Sequence, residues 1–169
     1  MNAIDRSVVP FSAERIEWAI GQSYSTTLQR LASVLKKPQL LKMAFLSRFK
    51  GAEALTSYLR EVAGGPGLMV LGTIGHGRVL GLLGGPAQSQ MFLIGNPLIA
   101  LEMMRVHAQA GVYAPLRVMF SGDGPETTTV TYDRPSKMFG QWNEPIFQET
   151  GKLLDEKMEA LIRQIALPG

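Results

Sequence analysis

A histidine between two glycines is one candidate for chemistry. His76 stands between Gly75 and Gly77, in a glycine-rich run that indicates a turn. Because histidine changes its charge near neutral pH, this side chain could act as a general acid/base or contact a ligand. A solvated turn histidine explains the same residues more simply, and no acidic residue beside it could orient the ring. We therefore keep His76 as a candidate and favour a role without catalysis.

An Asn-Pro pair after an apolar run is the second candidate. Asn96 is a favoured helix cap and Pro97 a favoured first helical residue, so a helix is predicted to begin here. The free backbone N–H groups at such a start can hold an anion or a polar ligand group. A capping Asn with a preorganised Pro needs no ligand, and we favour that interpretation.

Few other residues indicate a site. Tyr113 and Arg117 lie near predicted strand ends and could line a pocket, although packing explains them equally well.

The second histidine, His107, is expected to face solvent or a helix C-terminus. Two histidines without a carboxylate pattern predict no metal site, and the glycines of residues 72–81 do not have the spacing of a nucleotide-binding loop. We expect no cofactor. The absence of cysteine excludes disulfides and thiolate chemistry.

The positive charge is concentrated in one segment. Residues 30–60 contain seven cations and one anion, Glu53, a net charge of +6 in a chain whose total is +3. Such a small total does not indicate nucleic acid. With Leu, Met and Phe among its cations, the segment could lie on an anionic membrane or hold an acidic partner. Packed helices whose Lys and Arg face water are the simpler explanation. Only an exposed apolar face on this segment would make us prefer a membrane or an acidic partner.

The composition is that of a globular protein. Hydrophobic residues make up 46% of the 169 residues and charged residues 18%. This balance favours a single folded domain that comprises residues 1–169. Acidic residues near the start interrupt any signal-peptide pattern, and no apolar run reaches the length of a membrane span. We expect a cytoplasmic protein.

Periodicity predicts an α+β protein. Strands are predicted at residues 14–20, 68–74, 78–83, 90–94, 115–121 and 126–132. The second and third of these are predicted to form a hairpin across the His76 turn. Helices are predicted from Ser23 or Ser25 to Lys37, as a pair joined near Gly51, from Asn96 to Gly111, and near the C-terminus. We expect a two-layer sandwich in which helices back a mostly antiparallel sheet and leave its other face available for a partner.

Short motifs resemble domain-of-unknown-function family 302. They are FLIGNP at residues 92–97, YAPLRVMF at 113–120 and TVTYDRP at 129–135. Where that family often has Ile-Asp-His, this chain has Ile74-Gly75-His76, which puts catalysis at the histidine in doubt. Residues 68–165 are similar to the family and residues 18–37 more loosely so. A segment at about residues 38–64 looks like a helical insertion.

The resemblance implies a two-layer α/β fold, often dimeric, with no established reaction. We therefore expect a homodimeric domain that binds a small apolar or anionic ligand without established catalysis, near Asn96, Pro97, His76, Tyr113 and Arg117. One alternative is an enzyme that uses His76 as acid/base together with the helix start at Asn96 around one shared cavity. A second alternative is peripheral association with a membrane or nucleic acid through the basic segment.

Overall fold

A computed structural model describes residues 4–167 and contains an antiparallel five-stranded sheet with the strand order β1-β5-β4-β3-β2. The strands are β1 (Arg15–Ile20), β2 (Met69–Ile74), β3 (Ser89–Gly95), β4 (Leu116–Gly124) and β5 (Thr127–Asp133). The helices are α1 (Tyr24–Val34), α2 (Leu40–Phe49), α3 (Gly51–Ala63), α4 (His76–Leu80), α5 (Pro97–Met104), α6 (Pro135–Phe139) and α7 (Pro145–Ala166). Short 3₁₀ helices follow α4 (Gly81–Leu83) and α5 (Ala108–Tyr113). The predicted α+β class is confirmed.

One face of the sheet is covered by helices. Along β5, Thr128, Val130 and Tyr132 are buried, whereas the residues between them are half-buried, as expected of a strand with a single buried face. The buried face meets α1, α5 and α7, whose inward side chains complete the main apolar core. The long helix α7 contributes most to it, through Phe147, Leu154, Met158, Leu161, Ile162 and Ile165.

Local sequence fixes the starts of two predicted helices. The Ser23 hydroxyl accepts a hydrogen bond from the Thr26 backbone N–H and caps α1. At α5, the Asn96 side-chain oxygen accepts from the Leu98 N–H at 2.9 Å, and Pro97 is the first helical residue. Both caps confirm the sequence analysis. Helix α1, however, ends at Val34 rather than at Lys37.

The predicted pair of helices joined near Gly51 is also confirmed. Helix α2 ends at Phe49, and α3 starts at Gly51, which has a φ of +80° that favours glycine. A second, smaller apolar cluster holds the pair together. Tyr58, Leu59, Val62 and Ala63 of α3 pack there with Met69 of β2, and Met43 and Leu46 of α2 pack against them.

The predicted hairpin across the His76 turn is wrong. Residues 78–83 are helical, and β2 pairs with β3 instead. The pair Gly84-Gly85 ends this helical turn: Gly84 has a φ of +79°, and the Gly85 N–H donates to the Leu80 carbonyl at 2.8 Å. Both features are typical of a helix C-terminus. A short apolar run with no alternation fits a strand or a helix, and here the glycine stop decided between them.

Helix α5 is shorter than predicted. It ends at Met104, and Gly111, which was expected to end it, lies in the 3₁₀ helix Ala108–Tyr113. The short helix α6 was not predicted. It begins at Pro135, directly after β5, and carries the fully buried Phe139 into the core. Tyr113 of this 3₁₀ helix and Phe139 of α6 both lie near the end of β3, where α5 begins.

Candidate functional site

An apolar cavity of about 320 Å³ lies at the end of β3. Helix α5 forms one wall and residues 113–116 form another, while Phe139 of α6 and Leu154 of α7 close the back. Leu101 and Met104 line it as well, and both are roughly 40% exposed (43% and 41%), so they mark its mouth. This volume is at the lower end of the range that small-molecule sites occupy.

The lining residues are uncharged and almost entirely apolar. Asn96 and Tyr113 are the polar side chains among them. The Asn96 amide is already engaged, because its oxygen caps α5 and its nitrogen donates to the Gly67 carbonyl at 3.0 Å. A ligand in this cavity would therefore meet mainly hydrocarbon.

Aromatic rings fix the position of Tyr113. Its ring makes edge-on contacts with Phe11, Phe139 and Trp142 at centroid distances of 5.8, 6.3 and 6.1 Å. Contacts of this geometry orient an aromatic side chain as well as bury it. Just after Tyr113, the peptide bond between Ala114 and Pro115 is cis. Asn96, Pro97 and Tyr113, which the sequence predicts as site residues, all line this cavity.

His76 lies elsewhere. Strand β2 runs from Met69, opposite Gly95, to Ile74, opposite Met91, and His76 follows its far end. At about 3.3 Å per residue, the two ends of this strand lie roughly 16 Å apart. The enzyme alternative required His76 and Asn96 around one shared cavity, and His76 is not among the residues that line this one.

Arg117 points away from the cavity. It is exposed, between Leu116 and Val118, which are both buried on the covered face of β4. With Tyr113 and Asp133 it borders a separate cleft of about 20 Å³, which has room for about one water molecule. The structure therefore does not group Arg117 with Asn96 and Pro97.

Sequence reasoning missed a pairing between His107 and Glu144. The His107 Nε2 atom lies 2.7 Å from Glu144 Oε1, so the two groups share a hydrogen bond. The imidazole also lies against the rings of Trp142 and Phe147, at centroid distances of 6.2 and 5.7 Å. The two partners are 37 residues apart in the chain, so no local spacing could have indicated the pair. It ties the segment after α5 to the start of α7.

This pair predicts a pH dependence of stability. The hydrogen bond with His107 lowers the pKa of Glu144 below its ordinary value of 4.5. Because the folded state depresses this pKa, the stabilisation is present above about pH 4.5 and is lost as the pH falls through the folded pKa. In urea unfolding, the stability difference between wild type and Glu144→Gln should shrink from about pH 6 to about pH 3.

A neighbouring carboxylate gives the matched control. Glu149 is exposed on α7 and is in none of the ion pairs found among residues 4–167. Glu149→Gln should show no such pH-dependent difference. If the stability difference between wild type and Glu144→Gln is the same at about pH 6 and at about pH 3, the assigned pairing with His107 is contradicted.

In residues 4–167, no group of three or more His, Cys, Asp and Glu side chains is arranged to hold a metal ion. Across the same residues, no helix is both long and apolar enough to cross a membrane.

The fold and the cavity define a small α+β domain with one covered sheet face and an apolar site at the end of the sheet. The family described as domain of unknown function DUF302 matches residues 43–165, and the chain belongs to that family. The match begins inside α2, and the insertion at about residues 38–64 stays a prediction. No curated protein matches the chain.

A solved structure has the same fold. The uncharacterized conserved protein DUF302 from Bacillus stearothermophilus is similar with a TM-score of 0.61 and 15% sequence identity. The similarity covers 89% of this chain and 97% of the other. At this identity the likeness shows the fold alone. Neither the family nor this neighbour has an established function.

Proposed function

We propose that this protein binds a small, neutral, largely apolar molecule in the cavity beside α5. The observation that carries the proposal is a cavity of about 320 Å³ with uncharged, almost wholly apolar walls. Transfer of apolar surface from water into such a site is favourable at roughly 25 cal/mol per Å² buried. Met103 and Met104 add adaptable walls, because methionine has several rotatable bonds and a polarisable sulfur.

An anionic ligand fits this cavity less well. Burial of a charge costs free energy unless an opposite charge or several donors meet it, and no cation is among the residues that line the cavity. The Leu98 N–H at the start of α5 already donates to Asn96. The site thus favours the apolar alternative of the two ligand classes that the sequence analysis considered.

A dye-binding experiment tests the proposal. N-phenyl-1-naphthylamine, a neutral apolar dye, is expected to fluoresce on binding and to raise the melting temperature, since it binds the folded state. Ala100 lines the cavity, so Ala100→Trp should fill part of it and weaken binding by about tenfold or more. Ala108 is exposed and is not among the lining residues, which makes Ala108→Trp the matched control.

Two further comparisons sharpen the test. Leu101→Gln changes the exposed mouth with little risk to folding, and it should also weaken dye binding. The anionic analogue 8-anilinonaphthalene-1-sulfonate should bind more weakly than the neutral dye. Equal dye binding by wild type, Ala100→Trp and Leu101→Gln would overturn the proposal, and so would a preference for the anionic dye.

We also propose a homodimer that acts in the cytoplasm. The outward face of the sheet supports self-association, because Met91, Leu93 and Met119 are only half-buried there on neighbouring strands. Exposed apolar surface of this kind is typical of interaction sites. Sedimentation equilibrium of the wild type and of Met119→Lys tests this, and a monomer at all concentrations would contradict it.

A further inference from the structure

Helix α2 displays a row of large apolar side chains to solvent. Leu41, Phe45 and Phe49 are four residues apart, so they lie on one side of the helix. Their exposed fractions are 88%, 50% and 67%, and no residue of α2 is buried. Leu40, before them, is 73% exposed. We call Leu41, Phe45 and Phe49 the α2 row.

The fold holds this row outward. On the other side of the helix, Met43 and Leu46 pack against the cluster built by Tyr58, Leu59 and Met69. The Gln39 N–H also donates to the Tyr58 hydroxyl at 2.8 Å, just before the helix begins. The α2 row therefore cannot turn inward without breaking these contacts.

Cations flank the α2 row. With 3.6 residues per turn, each residue advances by about 100° around the helix, which places Lys42 and Arg48 on opposite sides of the row. The Lys42 ammonium lies 4.3 Å from the centroid of the Tyr58 ring, on the side towards α3. Residues 36–50 contain five cations and no acidic residue. None of the five is in an ion pair found among residues 4–167.

This pattern fits an anionic membrane surface better than a protein partner. The α2 row stands on the convex surface of a helix. No α2 residue lines the cavity beside α5 or the four other clefts identified among residues 4–167. A peptide, by contrast, is usually bound in a groove or at a sheet edge. A two-fold contact between two copies would bring like cations together. It would also rest on a few side chains, where a stable interface uses about 20–30 residues a side.

We propose that α2 docks the protein on anionic lipid bilayers, with the α2 row in the interfacial region and the surrounding cations near lipid phosphates. Apolar insertion and attraction of Lys and Arg to anionic headgroups together give binding that depends on lipid composition. Screening by salt weakens the electrostatic part. The helix lies along the surface, since its 10 residues are too few to span a bilayer.

Vesicle co-sedimentation with the full chain tests the docking. The protein should bind vesicles of phosphatidylcholine and phosphatidylglycerol, and it should bind pure phosphatidylcholine vesicles about tenfold less. Added salt should reduce the binding. Phe45→Ser/Phe49→Ser should lower it by about tenfold or more, and Lys42→Gln/Arg48→Gln should remove much of its salt dependence. All four positions are exposed, so these variants should stay folded. The Lys42→Gln/Arg48→Gln protein, which also loses the contact of Lys42 with the Tyr58 ring, should melt only slightly below the wild type.

A second exposed apolar pair supplies the matched control. Leu82 and Leu83, after α4, are 87% and 79% exposed and lie outside the proposed surface. Leu82→Ser/Leu83→Ser should bind vesicles like the wild type. If it loses as much binding as the phenylalanine variant, or if the wild type does not bind anionic vesicles at low salt, the proposal is overturned.

Two other occupants would be recognised by the same variants. Self-association in sedimentation equilibrium that the Phe45→Ser/Phe49→Ser change abolishes would assign the row to a second copy and overturn the proposal. Binding to polyglutamate that is as strong as to vesicles, and that the phenylalanine change leaves intact, would assign the cations to an acidic protein partner instead. Weak polyglutamate binding beside strong vesicle binding would support docking on lipid.

Discussion

Replacement of Phe120 by alanine is expected to lower the free energy of unfolding by about 3–5 kcal/mol. Phe120 lies in β4, in the interior of the sheet, and is fully buried. Its ring packs edge-on against Phe92 of β3, with the centroids 5.1 Å apart. The substitution removes the buried ring and leaves a cavity that the neighbouring strands can close only in part. The lost burial of the ring and the remaining cavity both destabilise the fold.

Urea unfolding of wild type and Phe120→Ala measures this loss. Arg117→Ala is the control on the same strand, since Arg117 is exposed and points away from the core. The control should lose much less stability, by about 1 kcal/mol or less. A loss for Phe120→Ala no greater than for Arg117→Ala would contradict the assigned register of β4.

Gly151→Ala is the second substitution with a large expected effect. Gly151 is buried within α7, and a Cβ there would lie 2.7 Å from the Cα of Ser136 in α6. Alanine gains about 1 kcal/mol in helix propensity over glycine, but the clash with backbone forces the two helices apart. Overpacking of this kind costs about 1–3 kcal/mol. We expect a net loss of stability.

The same substitution should disturb the cavity. The Asp155 carboxylate, one turn further along α7, accepts a hydrogen bond from the Ser136 N–H at 3.0 Å and holds the start of α6. Helix α6 carries Phe139 to the back of the cavity. Gly151→Ala should therefore lower both the melting temperature and the affinity for the neutral dye.

An open glycine serves as the control for Gly151→Ala. Gly75 has a φ of −86°, and a Cβ there would meet no atom within 4 Å. Gly75→Ala should leave stability and dye binding close to the wild-type values. A stabilised Gly151→Ala protein would show that α6 and α7 are not in the close contact described.

Much of the fold followed from local rules. The Ser23 and Asn96 caps, the break near Gly51 and the apolar stripe of α7 each have a cause within a few residues of the element that they define. The segment after His76 was harder to predict, because a short apolar run is compatible with a strand and with a helix. There, the Gly84-Gly85 stop and the pairing of β2 with β3 decided the outcome.

The candidate site was predictable in part. Asn96, Pro97 and Tyr113 could be named because a cap and a strand end mark positions at the edge of a sheet. The sequence could not place His76 relative to them, since that depends on which strand pairs with β2. The mouth residues Leu101 and Met104 were missed because exposure at one end of an apolar helix depends on tertiary packing.

The hydrogen bonds of Asn96 have a mechanical consequence. One side-chain atom starts the helix that walls the cavity, and the other holds the Gly67 carbonyl, in the short link between α3 and β2. The Lys157 ammonium anchors the same link through the Pro66 carbonyl at 3.2 Å. The helical arm formed by α2 and α3 is therefore linked to the cavity wall through this amide group as well as through Leu98 of α5, which packs against the apolar cluster of α3. Thermodynamic reciprocity then applies to the two proposed binding events. If a ligand in the cavity changes the affinity of α2 for lipid, docking on lipid changes the affinity of the cavity for that ligand by the same factor.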